Sequence, residues 1–174
     1  MLDTNICIYI IKNKPQSVRE KFKEFDIGDL CISSITVSEL YYGAYKSLHV
    51  EKNLLALEHF LRPFDILEYD LKASIEYGKI RASLEKSGKI IGGLDMMIAA
   101  HALSNKMTLV TNNTKEFRFE NQEELFVKKV EDGIILLPKN DKSVWDNMFD
   151  RLDEFSDDFM QTRVQPTQNR EDLF

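Results

Sequence analysis

The stretch GLDMMIAAHALSNKMTLVTNN, residues 93–113, decides the fold. Its first part, LDMMIAAHALSN, is apolar on nearly every face, which predicts a buried helix that begins after the turn at Gly92 and Gly93. The following KMTLVT has the composition of a strand and ends in polar residues. A buried helix that leads directly into a strand is typical of a βα unit. Such units build a parallel sheet with helices on both faces.

The same alternation extends back to the first residue. Strands are predicted at 1–3, 30–34, 64–69 and 106–111. Helices are predicted at 5–12, 15–25, 35–46, 50–61, 70–86 and 94–105. Pro15 favours the first turn of the second helix, since proline fits the first helical position. Residues 1–119 are therefore predicted to form an α/β domain with a parallel sheet flanked by helices.

After Phe119 the pattern changes. EELFVKKV and GIILLPK read as two short strands, and Asp132-Gly133 between them is a tight-turn signal that predicts a short β-hairpin. A helix is predicted over 142–160, followed by a polar tail over 161–174 without fixed structure of its own. One face of that helix is apolar and the opposite face is acidic, so we expect it to lie in an apolar groove. The apolar face consists of Trp145, Met148, Phe149, Leu152, Phe155 and Phe159.

Charge is unevenly distributed along the chain. Residues 1–119 carry a net charge of +1 and residues 120–174 a net charge of −7, which together give the formal −6 of the whole chain. The acidic C-terminal part is expected to contact a basic surface or to act as a solvated interaction segment. No apolar run is long enough to cross a bilayer. Cys7 and Cys31 lack metal-ligand spacing, which favours buried thiols in the reducing cytoplasm.

Acidic residues follow the predicted strands, at the edge of a parallel sheet where functional sites form. Asp3 follows the first strand, Glu39 lies one turn into the helix after the second, Asp95 opens the buried helix, and Glu116 follows the last strand. Carboxylates that converge without histidine or cysteine describe an oxygen site for a hard cation, Mg²⁺ or Mn²⁺. Such a site activates water and stabilises charge on a phosphoryl group.

Each acid also has a structural alternative. Asp3 is suited to cap the first helix. Thr36 and Glu39 have the spacing of a capping box, in which Glu39 would bond to the backbone amide of Thr36. Asp95 is favoured by the helix dipole in a first turn, and Glu116 is compatible with a plain surface position. Both interpretations remain open for each residue taken singly.

Four motifs together resemble one known family. LDTN (2–5), TVSEL (36–40), LDMMIAAHAL (94–103) and LVTNNTKEF (109–117) resemble the PIN domain, specifically the VapC toxins of bacterial toxin–antitoxin systems. The resemblance implies an endoribonuclease that cuts tRNA or other structured RNA and binds Mg²⁺ or Mn²⁺. The implied metal-site and catalytic acids are Asp3, Glu39, Asp95 and Glu116. The implied supporting polar residues are Thr4, Asn5, Thr111 and Asn112. Candidate basic residues for RNA are Lys46, Arg81, Lys86 and Lys89.

The C-terminal part resembles a VapB-type antitoxin over residues 115–174. This resemblance implies a toxin–antitoxin chimera with a nuclease domain at 1–117, half of an antitoxin-like hairpin domain at 118–140, and a toxin-wrapping helix with an extended arm at 141–174. The apolar stripe would dock on the toxin, and an arginine of the arm would enter the acid site, where a guanidinium pairs well with carboxylates. Arg163 is the first candidate and Arg170 the second.

The implied partners are RNA and an antitoxin or the chain's own C-terminal segment. Promoter DNA would bind only through a complete antitoxin dimer, and the chain is expected to form a homodimer or hetero-oligomer. The alternative from another class is a catalytically silent toxin–antitoxin complex that acts as a DNA-binding autoregulator. A phosphatase or a DNA nuclease built on the same acids also remains open.

Overall fold

The computed structural model describes residues 1–89, 91–111 and 142–163. The strands are β1 (Cys31–Ser33) and β2 (Asp65–Leu67). The helices are α1 (Thr4–Asn13), α2 (Gln16–Phe22), α3 (Ser34–Lys46), α4 (Val50–Leu61), α5 (Leu71–Ser87), α6 (Gly93–Ser104) and α7 (Lys142–Asp150), with a 3₁₀ turn at Leu152–Glu154.

The sheet is parallel and begins at the first residues of the chain. β1 pairs with β2 in the register Ile32 with Ile66. Leu2 bridges to Ile32 on one side and to Val110 on the other, both in parallel orientation. The order across the sheet is therefore β2, β1, Leu2 and Val110, so Leu2 lies at its centre. The predicted α/β class with a parallel sheet is confirmed.

Helices cover both faces of this sheet. α1, α3 and α4 pack on one face through a core that includes Ile10, Leu40 and Phe60, all buried. α6 packs on the other face, where Ile98 contributes to a second core, and Ile80 of α5 packs behind α6 in a third. α6 is buried on nearly all sides, as its apolar sequence predicts.

The predicted strands are shorter than expected. The predicted strands at 30–34 and 64–69 reduce to three paired residues each. The predicted strands at 1–3 and 106–111 contribute one bridged residue each among the described residues. The chain leaves the sheet at once into a helix at both Asp3 and Ser33, because each side chain caps the helix that follows.

The C-terminal segment, which we define as residues 142–163, packs against the α1, α2 and α4 side of the domain. The indole of Trp145 lies edge-on to Phe22, with ring centroids 5.2 Å apart, and donates a hydrogen bond of 2.9 Å to the carbonyl of Phe25. All six predicted stripe residues are buried in the same core as α1 and α4. They are Trp145, Met148, Phe149, Leu152, Phe155 and Phe159.

The prediction of one continuous helix over 142–160 is wrong. α7 ends at Asp150, and the chain continues through the 3₁₀ turn into irregular turns. The backbone amide of Ser156 donates instead to the side chain of Asn53, at 2.8 Å, so a tertiary hydrogen bond replaces a helical one. Phe155 and Phe159 are nevertheless buried, because the turns deliver them to the same core.

The predicted hairpin at 118–140 and the tail beyond Arg163 lie outside the described residues. Among the helices that the structure describes, none combines the length and the apolar character that a membrane crossing requires.

Candidate active site

Asp3 lies where the central sheet segment passes into α1. One carboxylate oxygen, Oδ1, accepts a hydrogen bond of 2.7 Å from the amide of Ile6, so the residue does cap α1. The other oxygen, Oδ2, accepts from the hydroxyl of Thr111 at 2.5 Å. Burial raises the pKa of Asp3 to about 6, against the lowering effect of these two hydrogen bonds. Asp3 is therefore both a helix cap and a buried carboxylate held in one orientation.

Glu39 projects from α3 toward the same place. The alternative interpretation of Thr36 and Glu39 as a capping box is wrong, because α3 begins three residues before that box requires and its cap is Ser33, whose hydroxyl accepts from the amide of Ile35 at 3.1 Å. Glu39 is thus inside the helix and is only 7% exposed. Its carboxylate accepts a hydrogen bond of 2.5 Å from the hydroxyl of Thr4. Thr4 therefore fixes the orientation of Glu39 from the first turn of α1.

Asp95 is the third acid of this region. It lies in the first turn of α6, after the N-cap at Gly92, and is fully buried. Its Oδ1 accepts a hydrogen bond from Arg163, whereas its Oδ2 is buried and has no hydrogen-bond partner within the described part of the chain. A buried carboxylate oxygen without a partner is unfavourable, so this atom is available to a further cation or donor.

Arg163 brings two of the acids together. Its Nε and Nη2 donate to the two carboxylate oxygens of Glu39 at 2.9 and 2.8 Å, and Nη2 also donates to Asp95 at 2.7 Å. The arginine side chain is only 11% exposed. Burial acts to lower the pKa of Arg163, but the hydrogen bonds and charges of Glu39 and Asp95 raise it above its usual value. The charge of Arg163 also reaches Asp3, where it lowers the carboxyl pKa.

The structure therefore groups Asp3, Glu39 and Asp95, which we call the acid site, with Arg163 between Glu39 and Asp95. Asn5 is half-buried in the first turn of α1, two residues after Asp3. The remaining predicted site residues lie outside the described part of the chain. They are Asn112, Glu116 and Arg170.

A groove of about 700 Å³ opens next to the acid site. Glu39, Tyr42 and Lys46 of α3 line one wall, and Leu94 and Met97 lie on the α6 side. Residues 160–163 of the C-terminal segment line the remaining side. Of the predicted basic residues, Lys46 thus borders the groove. Arg81 lies on α5, where it donates to Glu85 at 3.0 Å.

Sequence reasoning missed two residues that hold the C-terminal segment. Asn53 is fully buried on α4, and its amide donates to the Ser156 hydroxyl at 2.6 Å. Asp158 accepts a hydrogen bond of 2.5 Å from the backbone amide of Leu48. Asn53 had a detectable signal, because an amide side chain inside the apolar stripe of α4 requires a partner. Asp158 had none, since it is one acid among many in its segment.

The acid site offers only oxygen ligands, which suit Mg²⁺ or Mn²⁺. The unpartnered Oδ2 of Asp95 fits a cation that is bound in addition to, or in place of, Arg163. Within residues 1–89, 91–111 and 142–163, no three histidine, cysteine or acidic side chains are arranged to hold a metal ion together. Two of the three acids are instead joined by Arg163.

Comparison with known proteins gives the family. Residues 1–121 match the PIN domain. A tRNA(fMet)-specific endonuclease VapC from Shigella flexneri is 53% identical over 117 residues, which is 67% of this chain and 88% of the relative. Ribonuclease VapC2 from Haemophilus influenzae is 50% identical over the same length and the same shares of both chains.

A solved structure gives the same result. The DNA-bound VapBC complex from Salmonella typhimurium contains a chain that is 50% identical and superimposes with a TM-score of 0.65, covering 67% of this chain and 88% of that one. The resemblance of the motifs in residues 1–117 is thereby confirmed. The chain belongs to the PIN-domain family, within the VapC ribonucleases of toxin–antitoxin systems.

Proposed function

We propose that residues 1–117 form a metal-dependent endoribonuclease that hydrolyses phosphodiester bonds in RNA, and that the C-terminal segment inhibits it. One observation carries both parts: a single guanidinium, that of Arg163, joins Glu39 and Asp95. Two buried carboxylates that face one point attract a cation there. In this chain the C-terminal segment places the guanidinium of Arg163 at that position. A relative named for cleavage of tRNA(fMet) makes tRNA the substrate of choice.

The three acids supply only oxygen donors, which suits Mg²⁺ or Mn²⁺, but in the described residues Arg163 joins two of them and their arrangement does not form a group that could hold an ion while the arginine is bound. Asp3, Glu39 and Asp95 would hold the ion, with Glu116 as a further predicted ligand outside the described residues. When bound, the metal supplies a water of lowered pKa and neutralises charge on the phosphoryl group. The chain itself supplies orientation: Thr4 holds the Glu39 carboxylate and Thr111 holds that of Asp3. These two threonines are positioning residues, since they act through the acids.

Inhibition follows from the chemistry of the arginine. A guanidinium remains charged at all relevant pH values and pairs with two carboxylate oxygens at once. It therefore neutralises the acids but cannot activate water. While Arg163 is bound, both carboxylate oxygens of Glu39 and Oδ1 of Asp95 are engaged, and residues 160–163 line the groove beside them. The C-terminal segment would thus inhibit the nuclease as an antitoxin does, which is the role that its resemblance to VapB-type antitoxins implies.

The occupied acid site also favours a second candidate function. A toxin silenced by its own segment would act as a DNA-binding autoregulator rather than as a nuclease. The VapBC complex from Salmonella typhimurium is DNA-bound. DNA binding by this chain would require a complete antitoxin dimer, because only part of the predicted DNA-binding hairpin is present in the sequence. Oligomer formation, with a second copy or with an antitoxin, belongs to this candidate.

RNA cleavage by the full chain and two variants tests both candidates. We expect Arg163→Ala to cleave tRNA in the presence of Mn²⁺ at least about a hundredfold faster than the unmodified chain, since removing one partner of a buried ion pair releases the acids. Arg163→Ala combined with Asp95→Asn should be inactive. Cleavage that persists with a chelator would contradict the metal-dependent mechanism. Equal rates for Arg163→Ala and the unmodified chain would contradict inhibition by Arg163.

A further inference from the structure

The C-terminal segment contacts α3 at two points that lie one helical turn apart. Arg163 binds Glu39, and Met160 lies against Gly43. Positions four residues apart share one face of a helix. Glu39 and Gly43 therefore form one recognition face, which the segment meets with Met160 and Arg163 in the opposite chain direction.

Gly43 occupies an unfavourable place for glycine. It lies in the interior of α3, where glycine is among the least favourable residues. A Cβ atom built on Gly43 would collide with the sulfur of Met160 and would lie 2.5 Å from its Cγ. Ordinary carbon contacts are about 3.5–4.0 Å. In its present conformation the Met160 side chain can lie this close to α3 only because residue 43 has no side chain, and a Cβ atom there would require the methionine to move.

A second helical glycine lacks any such contact. Gly78 lies in the interior of α5, and a Cβ atom built there meets nothing within 4 Å. The two glycines thus carry the same helical cost, but only Gly43 has a neighbour that requires it. Gly78 is exposed, whereas Gly43 is buried, so Gly78 is a control for the helix-propensity part of a substitution at Gly43.

Met160 is held for this contact by its own backbone. Its φ of 50° is in the left-handed region, which is uncommon for a residue other than glycine. Its side chain is 7% exposed, although it lies beside the open groove. An unbranched thioether side chain is well suited to a shallow space above a helix backbone. The conformation at Met160 therefore directs an apolar side chain onto Gly43, three residues before the arginine.

We propose that Gly43 determines which peptide can reach the acid site. The face of α3 accepts a segment that places a long unbranched apolar side chain over Gly43 and an arginine on Glu39 three residues later. In this chain the occupant is its own segment, Met160 to Arg163. The RNA-cleavage measurement described below rests on the proposed function, whereas the hydrogen-exchange measurement of docking does not.

Hydrogen exchange of the full chain tests the docking directly. In Gly43→Ala we expect the backbone amides of residues 156–163 to exchange at least about tenfold faster, because a methyl group at residue 43 overpacks the contact with Met160. RNA cleavage should rise in parallel. Gly78→Ala should leave both unchanged and should raise the Tm by roughly 2–4 °C through helix propensity.

A second substitution keeps the test decisive. Met160→Ala in the Gly43→Ala background removes the colliding atoms, so we expect exchange to return toward that of Met160→Ala alone. Gly43→Ala with unchanged exchange and a raised Tm like that of Gly78→Ala would overturn the proposal, and so would a double variant that exchanges as fast as Gly43→Ala. Exchange that depends on protein concentration would instead assign the occupant to a second copy and overturn its assignment to the same chain. If exchange follows the expectation and no variant cleaves RNA, the nuclease proposal fails and the recognition by Gly43 stands.

Discussion

The two ends of the C-terminal segment contact the PIN domain in opposite ways. At one end, Trp145 and Phe149 pack edge-on against Phe22 in an apolar core. At the other end, Arg163 makes charged hydrogen bonds to two buried acids. This difference indicates that the two ends of the segment have different roles, attachment at the apolar end and control of the acid site at the charged end. Apolar burial supplies most of the attachment, because it scales with area and needs no exact partner. The charged end adds little net stability, but in the proposed mechanism it would compete with a metal ion for the carboxylates of the acid site.

Loss of the apolar end should have the largest effect on stability. Trp145→Ala should lower the free energy of unfolding by about 3–5 kcal/mol, because a buried ring is removed and a cavity remains. Urea unfolding measures the loss. Ile75→Ala, at a half-exposed position on α5, should change the stability by less than about 0.5 kcal/mol. Similar losses for the two variants would contradict an anchoring role for Trp145.

The burial of Asp3 in the acid site, beside the charged end of the segment, should make the stability of the chain depend on pH. The pKa of Asp3 is raised from 3.8 to about 6 in the folded chain, chiefly by burial. The folded state therefore binds this proton more tightly than the unfolded state does. The contribution of protonated Asp3 to the free energy of unfolding is fully present below pH 3.8 and is lost as the pH rises through about 6. This contribution is at most about 3 kcal/mol.

Asp3→Asn isolates this contribution. Urea unfolding at several pH values between 4 and 7 should show a steeper loss of stability with rising pH for the unmodified chain than for the variant. Parallel curves for the two proteins would show that burial does not raise the pKa of Asp3.

The polar contact of Asn53 with Ser156, which lies between the two ends of the segment, should have the smallest effect on stability. Asn53→Ala should cost about 1–3 kcal/mol, because it removes the acceptor of the Ser156 backbone amide and the donor to the half-buried hydroxyls of Ser47 and Ser156. Asn13→Ala, an exposed asparagine at the end of α1, should cost less than about 0.5 kcal/mol. Equal effects of the two substitutions on urea unfolding would contradict a role for Asn53 in attaching the C-terminal segment.

The sequence predicts those parts of the site that follow from local rules. Asp3 and Asp95 are found because strand ends and helix starts have clear local signals, and the apolar run of α6 is unmistakable. The interpretations of Asp3 as cap and as site acid are not exclusive, since its two carboxylate oxygens face different partners. The capping-box interpretation of Thr36 is wrong because Ser33, the last residue of β1, already caps the helix.

Long-range contacts were not predictable in this way. The pair Asn53 and Ser156 and the pair Gly43 and Met160 each join residues more than a hundred positions apart. The sequence indicates that Asn53 needs a partner, but no local pattern identifies the partner in either pair. The break after α7 has the same origin. Helical spacing continues through Phe159, but contacts with α4 determine the actual path of the chain.

Manganese binding is the most direct test of whether Arg163 stands where a divalent cation binds. Titration calorimetry with Mn²⁺ should compare the full chain, Arg163→Ala and the control Arg151→Ala, since Arg151 belongs to the same segment but bonds to Glu154 at the surface. We expect Arg163→Ala to bind Mn²⁺ at least about tenfold more tightly than the other two, because the carboxylates of Glu39 and Asp95 lose their competing cation. Equal Kd values for all three proteins would contradict a shared site for arginine and metal.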